Sequence, residues 1–124
     1  MLGTTDTSNL VRYLERFPEE MGLTEDDPDA VLDRYCTRDF EHWNDGIRLD
    51  RERLIAHARP ARRNAVDVRV EVHDAFVAGD RVAARYALRA SLRNGRVVAT
   101  EICMIGHLAP DGRLRRIDSI TRTL

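Results

Sequence analysis

The sequence contains no lysine, and all 20 of its basic residues are arginine. A chain without lysine cannot form a Schiff base with a carbonyl substrate, anchor pyridoxal phosphate or build the phosphate-binding P-loop. The sequence also lacks the short motifs of dinucleotide-binding proteins, serine hydrolases and zinc proteases. We therefore predict a protein that uses neither a metal ion nor an organic cofactor.

Neither sign of charge is in excess, since 20 basic residues face 21 acidic ones and the net charge is −1. A nucleic-acid-binding protein needs a basic surface, so we predict no nucleic-acid partner. No stretch is apolar over the length of a membrane span, and residues 1–5 lack the charged and apolar regions of a signal peptide. These absences predict no membrane partner and a cytoplasmic location.

Cysteine is scarce, and Cys36 and Cys103 lie far apart without a Cys-x-x-Cys spacing. We therefore predict two free thiols rather than a disulfide. The 124 residues are 43% hydrophobic, which suffices for one core, so residues 1–124 are predicted to form a single domain.

The apolar pattern changes from helical to alternating along the chain. Three stretches with helical spacing come first, and prolines predict the end of the first near Pro18 and of the third at Pro60. From Val66 onward apolar and polar residues alternate, and Asn94-Gly95 and residues 110–112 are hairpin signals. The pattern predicts an α+β protein: three helices packed on one face of a meander of about four long strands.

Residues 39–46, at the junction of these two parts, hold the only tryptophan, Trp43, beside His42. A titratable imidazole next to a large aromatic side chain is typical of the floor of a small-molecule pocket. A core histidine bonded to a backbone carbonyl is the alternative, and the pattern leaves both open.

The last two strands carry acidic residues among apolar ones. Residues 97–108 are apolar on both faces, which predicts helices on one face and a partner subunit on the other. Glu101 lies in one of these apolar rows, where either burial raises its pKa or an arginine of the neighbouring strand pairs with it. In residues 114–124 the face with Asp118 and Arg122, or the face with Ile117 and Ser119, could look inward.

The order of these elements resembles the nuclear transport factor 2-like superfamily, which includes ketosteroid isomerase and the SnoaL-like polyketide cyclases. The resemblance rests on residues 35–42 closing the helical part, residues 50–55 in the third helix, and residues 79–83 and 111–114 each opening a strand. It implies a cystatin-like α+β roll, in which a cone-shaped, curved antiparallel sheet wraps around N-terminal helices and encloses an apolar pocket. It also implies a homodimer.

The resemblance further implies site residues. His42 falls at or next to the general base of the isomerase, and Tyr13 near the tyrosine that donates a hydrogen bond to the substrate oxygen. Cys103 or Met104 falls near the isomerase's protonated aspartate, for which Glu101 is a possible substitute.

In the last strand, Asp118 takes the position of an inward-facing tryptophan common in the family, and Arg122 that of a frequent aspartate. This favours an inward-facing Asp118. It also makes steroid isomerisation a poor expectation, because the pocket copies neither the isomerase nor the cyclase.

We therefore predict a cofactor-independent acid/base enzyme, an isomerase or aldol-type cyclase, acting on an apolar, oxygen-bearing small molecule. His42 is the predicted base, and a protonated Asp118 or Glu101, helped by Tyr13, is the predicted donor to the developing oxyanion. The predicted ligand-binding residues are Phe40, Trp43, Cys103, Met104 and Arg122.

Two alternatives stay open. The same fold could be a non-catalytic module that binds a small ligand or assembles as a dimer. Asp118, Arg122 and Glu101 could instead activate a water molecule, as in an epoxide hydrolase.

Overall fold

The computed structural model describes residues 7–124, which form three helices and six strands. The helices are α1 (Thr7–Leu23), α2 (Pro28–Tyr35) and α3 (Arg51–Asn64); the strands are β1 (Cys36–Asn44), β2 (Ile47–Leu49), β3 (Ala65–Ala78), β4 (Arg81–Leu92), β5 (Val97–Leu108) and β6 (Leu114–Thr123). The prediction of an α+β fold is confirmed. The signal-peptide argument concerned residues 1–5, which lie outside the described part. Within residues 7–124, no helix is long and apolar enough to cross a membrane.

The six strands form one open, curved sheet in the order β2-β1-β6-β5-β4-β3. Strands β3 to β6 are the predicted antiparallel meander. Strand β1 runs parallel to β6, so the sheet is mixed rather than wholly antiparallel. The parallel pair arises because β1 leaves the helices and joins the free edge of the last strand, in the same direction as that strand.

Two helices continue through the prolines that were predicted to end them. Pro18 lies inside α1 and Pro60 inside α3. The side chain of Arg62 joins the two helices: its Nε donates to the carbonyl of Met21 at 2.9 Å and its Nη2 to that of Glu20 at 3.1 Å. These bonds satisfy carbonyl groups in the last turns of α1, which stabilises the helix beyond its proline.

The helices pack on one face of the sheet, here called the inner face; the opposite face is the outer face. The core contains buried residues from helices and strands alike: Leu10, Tyr13, Leu14, Val31, Leu32, Tyr35, Cys36, Val82, Ala84, Met104, Leu108, Leu114 and Ile117. Side chains alternate between the faces along each strand, so cross-strand partners of these residues share the inner face. Cys36 is buried, Cys103 is exposed, and both are free thiols as predicted.

A β-bulge decides which face of β6 looks inward. Leu108 pairs with Leu114 and His107 pairs with Arg116, so Arg115 is an extra residue on β6. The extra residue allows both Leu114 and Ile117 to point inward although they are three positions apart. The continuation of the alternation then places Ser119 on the inner face and Asp118 on the outer face.

Candidate active site

His42 lies on the inner face of β1, opposite Ile117 of β6. Its ring centroid is 6.0 Å from that of Phe40, which packs against the core on the same face. Burial lowers the pKa of His42 below its ordinary value of 6.5, and the negative charge of Asp118 opposes this effect only in part. An imidazole with a lowered pKa is neutral at pH 7 and can accept a proton.

A small polar cluster surrounds His42. Ser119 lies beside it on β6 and is 7% exposed. The Ser119 hydroxyl oxygen is 3.4 Å from His42 Nε2 and donates to Asn44 Oδ1 at 2.8 Å. These residues meet because Asn44 pairs with Ser119, and His42 with Ile117, in the parallel ladder.

Two tyrosine hydroxyls belong to the same side of the sheet. Tyr13, on α1, is 4% exposed, and burial raises the pKa of its hydroxyl well above the ordinary value. Tyr86, on β4, has a pKa raised to about 12 by burial, and its charge affects the titration of Tyr13. Neither hydroxyl bonds to another described residue. Among the described residues, however, every fully buried side-chain nitrogen or oxygen atom has a hydrogen-bond partner. Both hydroxyl oxygens therefore touch accessible space.

The third core tyrosine differs from these two. The Tyr35 hydroxyl donates to the Glu20 carboxylate, which also pairs with Arg34. Tyr35 is therefore satisfied within the protein, and it has no free donor to offer a ligand.

Asp118 lies on the outer face, which corrects the expectation that it looks inward. It pairs with Trp43 of β1 and Ile105 of β5 in the sheet. Arg116 donates to both of its carboxylate oxygens, at 2.9 and 3.0 Å. These bonds lower the pKa of Asp118, so it is a carboxylate rather than the protonated donor that was predicted.

Glu101 also lies on the outer face. Of the two alternatives given for it, the ion pair with arginine is the one that is observed. Arg122 is 3.1 Å and Arg85 is 3.5 Å from its carboxylate oxygens. Asp118 and Arg122 are four residues apart on one strand, a span of about 13 Å. The set Asp118, Arg122 and Glu101 is therefore divided between two ion-paired groups rather than gathered around one water molecule.

The predicted site residues thus divide between the two faces. The inner face and the core beneath it hold His42, Tyr13, Phe40 and Met104; the outer face holds Asp118, Glu101, Trp43, Cys103 and Arg122. Ser119, Asn44 and Tyr86 were not among the predicted residues. The signal that could have found Tyr86 is a lone hydroxyl in the aliphatic row of β4.

Two of the cavities along the sheet bear on the predicted site residues. One, of about 460 Å³, lies along β1, β5 and β6 and is lined by Trp43, Gly46, Cys103, Met104, Ile105, Arg116, Asp118, Ser119 and Ile120. The other, of about 300 Å³, lies on the inner side between α1, α3, β3 and β4, and its lining is apolar apart from His57. His42 lines neither. Among the described residues, no three His, Cys, Asp or Glu side chains cluster in a way that could hold a metal ion.

Solved structures share this fold. A candidate SnoaL-like polyketide cyclase from Jannaschia sp. CCS1 is 20% identical with a TM-score of 0.67, covering 97% of this chain and 87% of that chain. IdmH, a candidate polyketide cyclase from Streptomyces antibioticus, is 18% identical with a TM-score of 0.67, covering 94% and 91%. A protein with a ketosteroid isomerase-like fold from Catenulispora acidiphila DSM 44928, in complex with trimethylamine, is 13% identical with a TM-score of 0.63, covering 89% and 82%.

No curated protein matches the chain. The model of the SnoaL-like domain family matches residues 14–117, which span all three helices in whole or part and the strands as far as the middle of β6. Because this match covers most of the chain, the chain is a member of the SnoaL-like domain family.

Proposed function

We propose that the protein is a cofactor-independent acid/base enzyme that cyclises or isomerises an apolar, carbonyl-bearing small molecule, with His42 as the base. One observation carries the proposal: a neutral imidazole lies on the same side of the sheet as two tyrosine hydroxyls that no described residue satisfies. A buried tyrosine hydroxyl normally has a partner, so two open donors favour a ligand oxygen as the missing acceptor.

The reaction uses these groups without a co-reactant. His42 removes a proton from the carbon next to a carbonyl, and the Tyr13 and Tyr86 hydroxyls stabilise the enolate oxygen. In a cyclisation the enolate carbon forms a bond to a second carbonyl carbon, and the resulting alkoxide takes the proton back from His42. In an isomerisation the same proton returns to a different carbon.

The test is deuterium exchange at the acidic carbon of 1,3-diketones of increasing size, followed by NMR in heavy water. We expect exchange that depends on the protein, and a 10²- to 10⁴-fold loss of rate in His42→Gln, the usual contribution of a general base. Tyr13→Phe and Tyr86→Phe should each reduce the rate while circular dichroism stays unchanged.

The matched control is His73→Gln, which removes an exposed histidine from β3. It should leave the exchange rate unchanged. A full rate in His42→Gln would contradict the proposal. Binding of the diketones without exchange by the intact protein would favour the non-catalytic module instead.

We also propose that the outer face pairs with a second copy of the chain. Phe76, Ile105 and Ile120 are 64%, 51% and 70% exposed, and the strand registers place them on the outer face. Trp43 lies in the same row as Ile105, separated from it by Asp118. A monomer rarely exposes so many large apolar side chains together. The surrounding carboxylates are already paired with arginines, so the same surface of a second copy can pack here without burying an unpaired charge.

Sedimentation equilibrium tests this pairing. The intact protein should be a dimer, and Ile120→Glu should be a monomer because it would bury an unpaired carboxylate. The control is Ile47→Glu, since Ile47 is 59% exposed but its partner Asn44 belongs to the inner face. A monomeric intact protein, or a dimer that survives Ile120→Glu, would contradict this proposal.

A further inference from the structure

Ser119 is the buried polar residue of the described chain, and the reaction proposed above gives it no part. It lies on the inner face of β6, between Met104 of β5 and Asn44 of β1. A serine in this position must satisfy its hydroxyl within the protein, and the bonds that it makes also constrain its neighbours.

The hydroxyl has one proton and three polar atoms nearby, of which two are acceptors and one is a ring nitrogen. Asn44 Oδ1 is 2.8 Å away, whereas the Trp43 carbonyl and His42 Nε2 are each 3.4 Å away. The shortest contact has the length of a good O–H···O bond, and the two longer contacts are weaker. The proton therefore goes to Asn44, and the Ser119 oxygen presents a lone pair to His42 Nε2.

A lone pair facing Nε2 favours a proton on that nitrogen. A neutral imidazole has one protonated and one unprotonated nitrogen, and the hydrogen bond made by one determines the state of the other. His42 Nδ1 bonds to no other described residue. Asp118, the charged group that affects the titration of His42, lies on the opposite face and cannot orient the ring.

We infer that Ser119 is a positioning residue that holds His42 as the Nε2–H tautomer, so that Nδ1 is the nitrogen that takes the substrate proton. The role of Nδ1 as the base rests on the proposed function, whereas the tautomer does not. Asn44 then accepts a hydrogen bond from the Ser119 hydroxyl, and Ser119 accepts one from His42 Nε2.

The test is nitrogen NMR of protein labelled with ¹⁵N-histidine, recorded without substrate at about pH 8, where an imidazole is neutral. The His42 signals are identified by their loss in His42→Gln. We expect Nε2 to have the shift of a protonated nitrogen and Nδ1 that of an unprotonated one. The reverse assignment would place the Asn44 amide nitrogen against Ser119 and would overturn the inference.

Two variants sharpen the test. Ser119→Ala removes the acceptor, so the two His42 nitrogens should move toward averaged shifts and the rate constant kcat should fall about fivefold, the worth of one neutral hydrogen bond. Asn44→Asp keeps the acceptor oxygen and should retain the Nε2–H tautomer. A Ser119→Ala protein with unchanged shifts would overturn the inference.

These readouts separate the inference from the proposed function. The tautomer is measured without turnover, so an inactive protein with an Nε2–H His42 would refute only the catalytic use of Nδ1. An active protein with an Nδ1–H His42 would refute only the role of Ser119.

Discussion

The two faces of the sheet differ in the charge of their polar groups. On the inner face His42, Ser119 and the two open tyrosines are uncharged, and nearly all their surroundings are apolar. On the outer face every carboxylate of β5 and β6 is held by arginine. Both faces are made by the same strands, so the difference comes from alternate residues of one sequence.

The comparison teaches where chemistry can occur. A carboxylate bonded to arginine is a weak base, because the nearby cation favours the ionised form and lowers the pKa. It is also a poor acid, because it carries no proton to donate. A neutral imidazole, and phenols that bond to no described residue, keep their protons available for exchange. The face with fewer charges is therefore the better candidate for proton transfer.

The largest expected difference between the faces is in packing. Leu114 is fully buried and Ile120 is 70% exposed, although both are on β6. Leu114→Ala should lower the free energy of unfolding by about 2–5 kcal/mol, and Ile120→Ala by less than about 0.5 kcal/mol. Urea unfolding at low protein concentration, where subunit association does not contribute, measures both. Equal losses would remove the distinction between the faces.

A smaller effect is expected at Gly106, where β5 approaches β4 and β6 closely. A Cβ there would lie 2.8 Å from Val82 Cγ2 and 3.3 Å from the carbonyl oxygen of Arg116. Gly106→Ala should cost about 1–3 kcal/mol of unfolding free energy, measured in urea. Gly106→Ala should cost less unfolding free energy in a protein that already carries Val82→Ala. If the losses from the two substitutions simply add, the steric explanation is contradicted.

The pH dependence of stability should show the neutral state of His42. Because burial lowers its folded-state pKa, the unfolded chain binds more protons as the pH falls below about 6.5. The contribution of His42 to stability is therefore complete above this pH and is lost as the pH falls toward the folded pKa. Unfolding of the intact protein and of His42→Gln, followed at several pH values, should converge on acidification. Divergence would mean that the imidazole is charged in the fold.

The smallest expected effect is on the outer face. Arg122 is 69% exposed at its side chain, and Glu101 keeps Arg85 when Arg122 is removed. Arg122→Met should change the free energy of unfolding by less than about 1 kcal/mol, because exposed ion pairs contribute little. A thermal or urea melt detects any larger loss, which would show that this pair belongs to a buried network.

The general plan of the molecule was readable from the sequence, because alternation and turn residues report directly on strands β3 to β6. The family was readable for the same reason. The ends of α1 and α3 were not, since the bonds from Arg62 that support α1 join residues about 40 positions apart.

The site was less readable than the fold. A simple alternation puts Leu114 and Ile117 on opposite faces, and the bulge at Arg115 puts both inward. That one extra residue moves Asp118 outward and Ser119 inward, and pattern alone does not reveal it. His42 was singled out because an imidazole can act as a base near pH 7; Ser119 was overlooked because the face that it occupies on β6 depends on the bulge.

The parallel pairing of β1 with β6 also has a consequence for how the site comes into being. His42 and Ser119 are 77 positions apart in the chain. On a ribosome His42 is made early, and it meets Ser119 only after β6 has emerged and paired with β1. Such distant pairing slows folding, since the loop must close before the contact can stabilise it. The contact between His42 and Ser119 therefore belongs to the last stage of folding, when β6 completes the sheet.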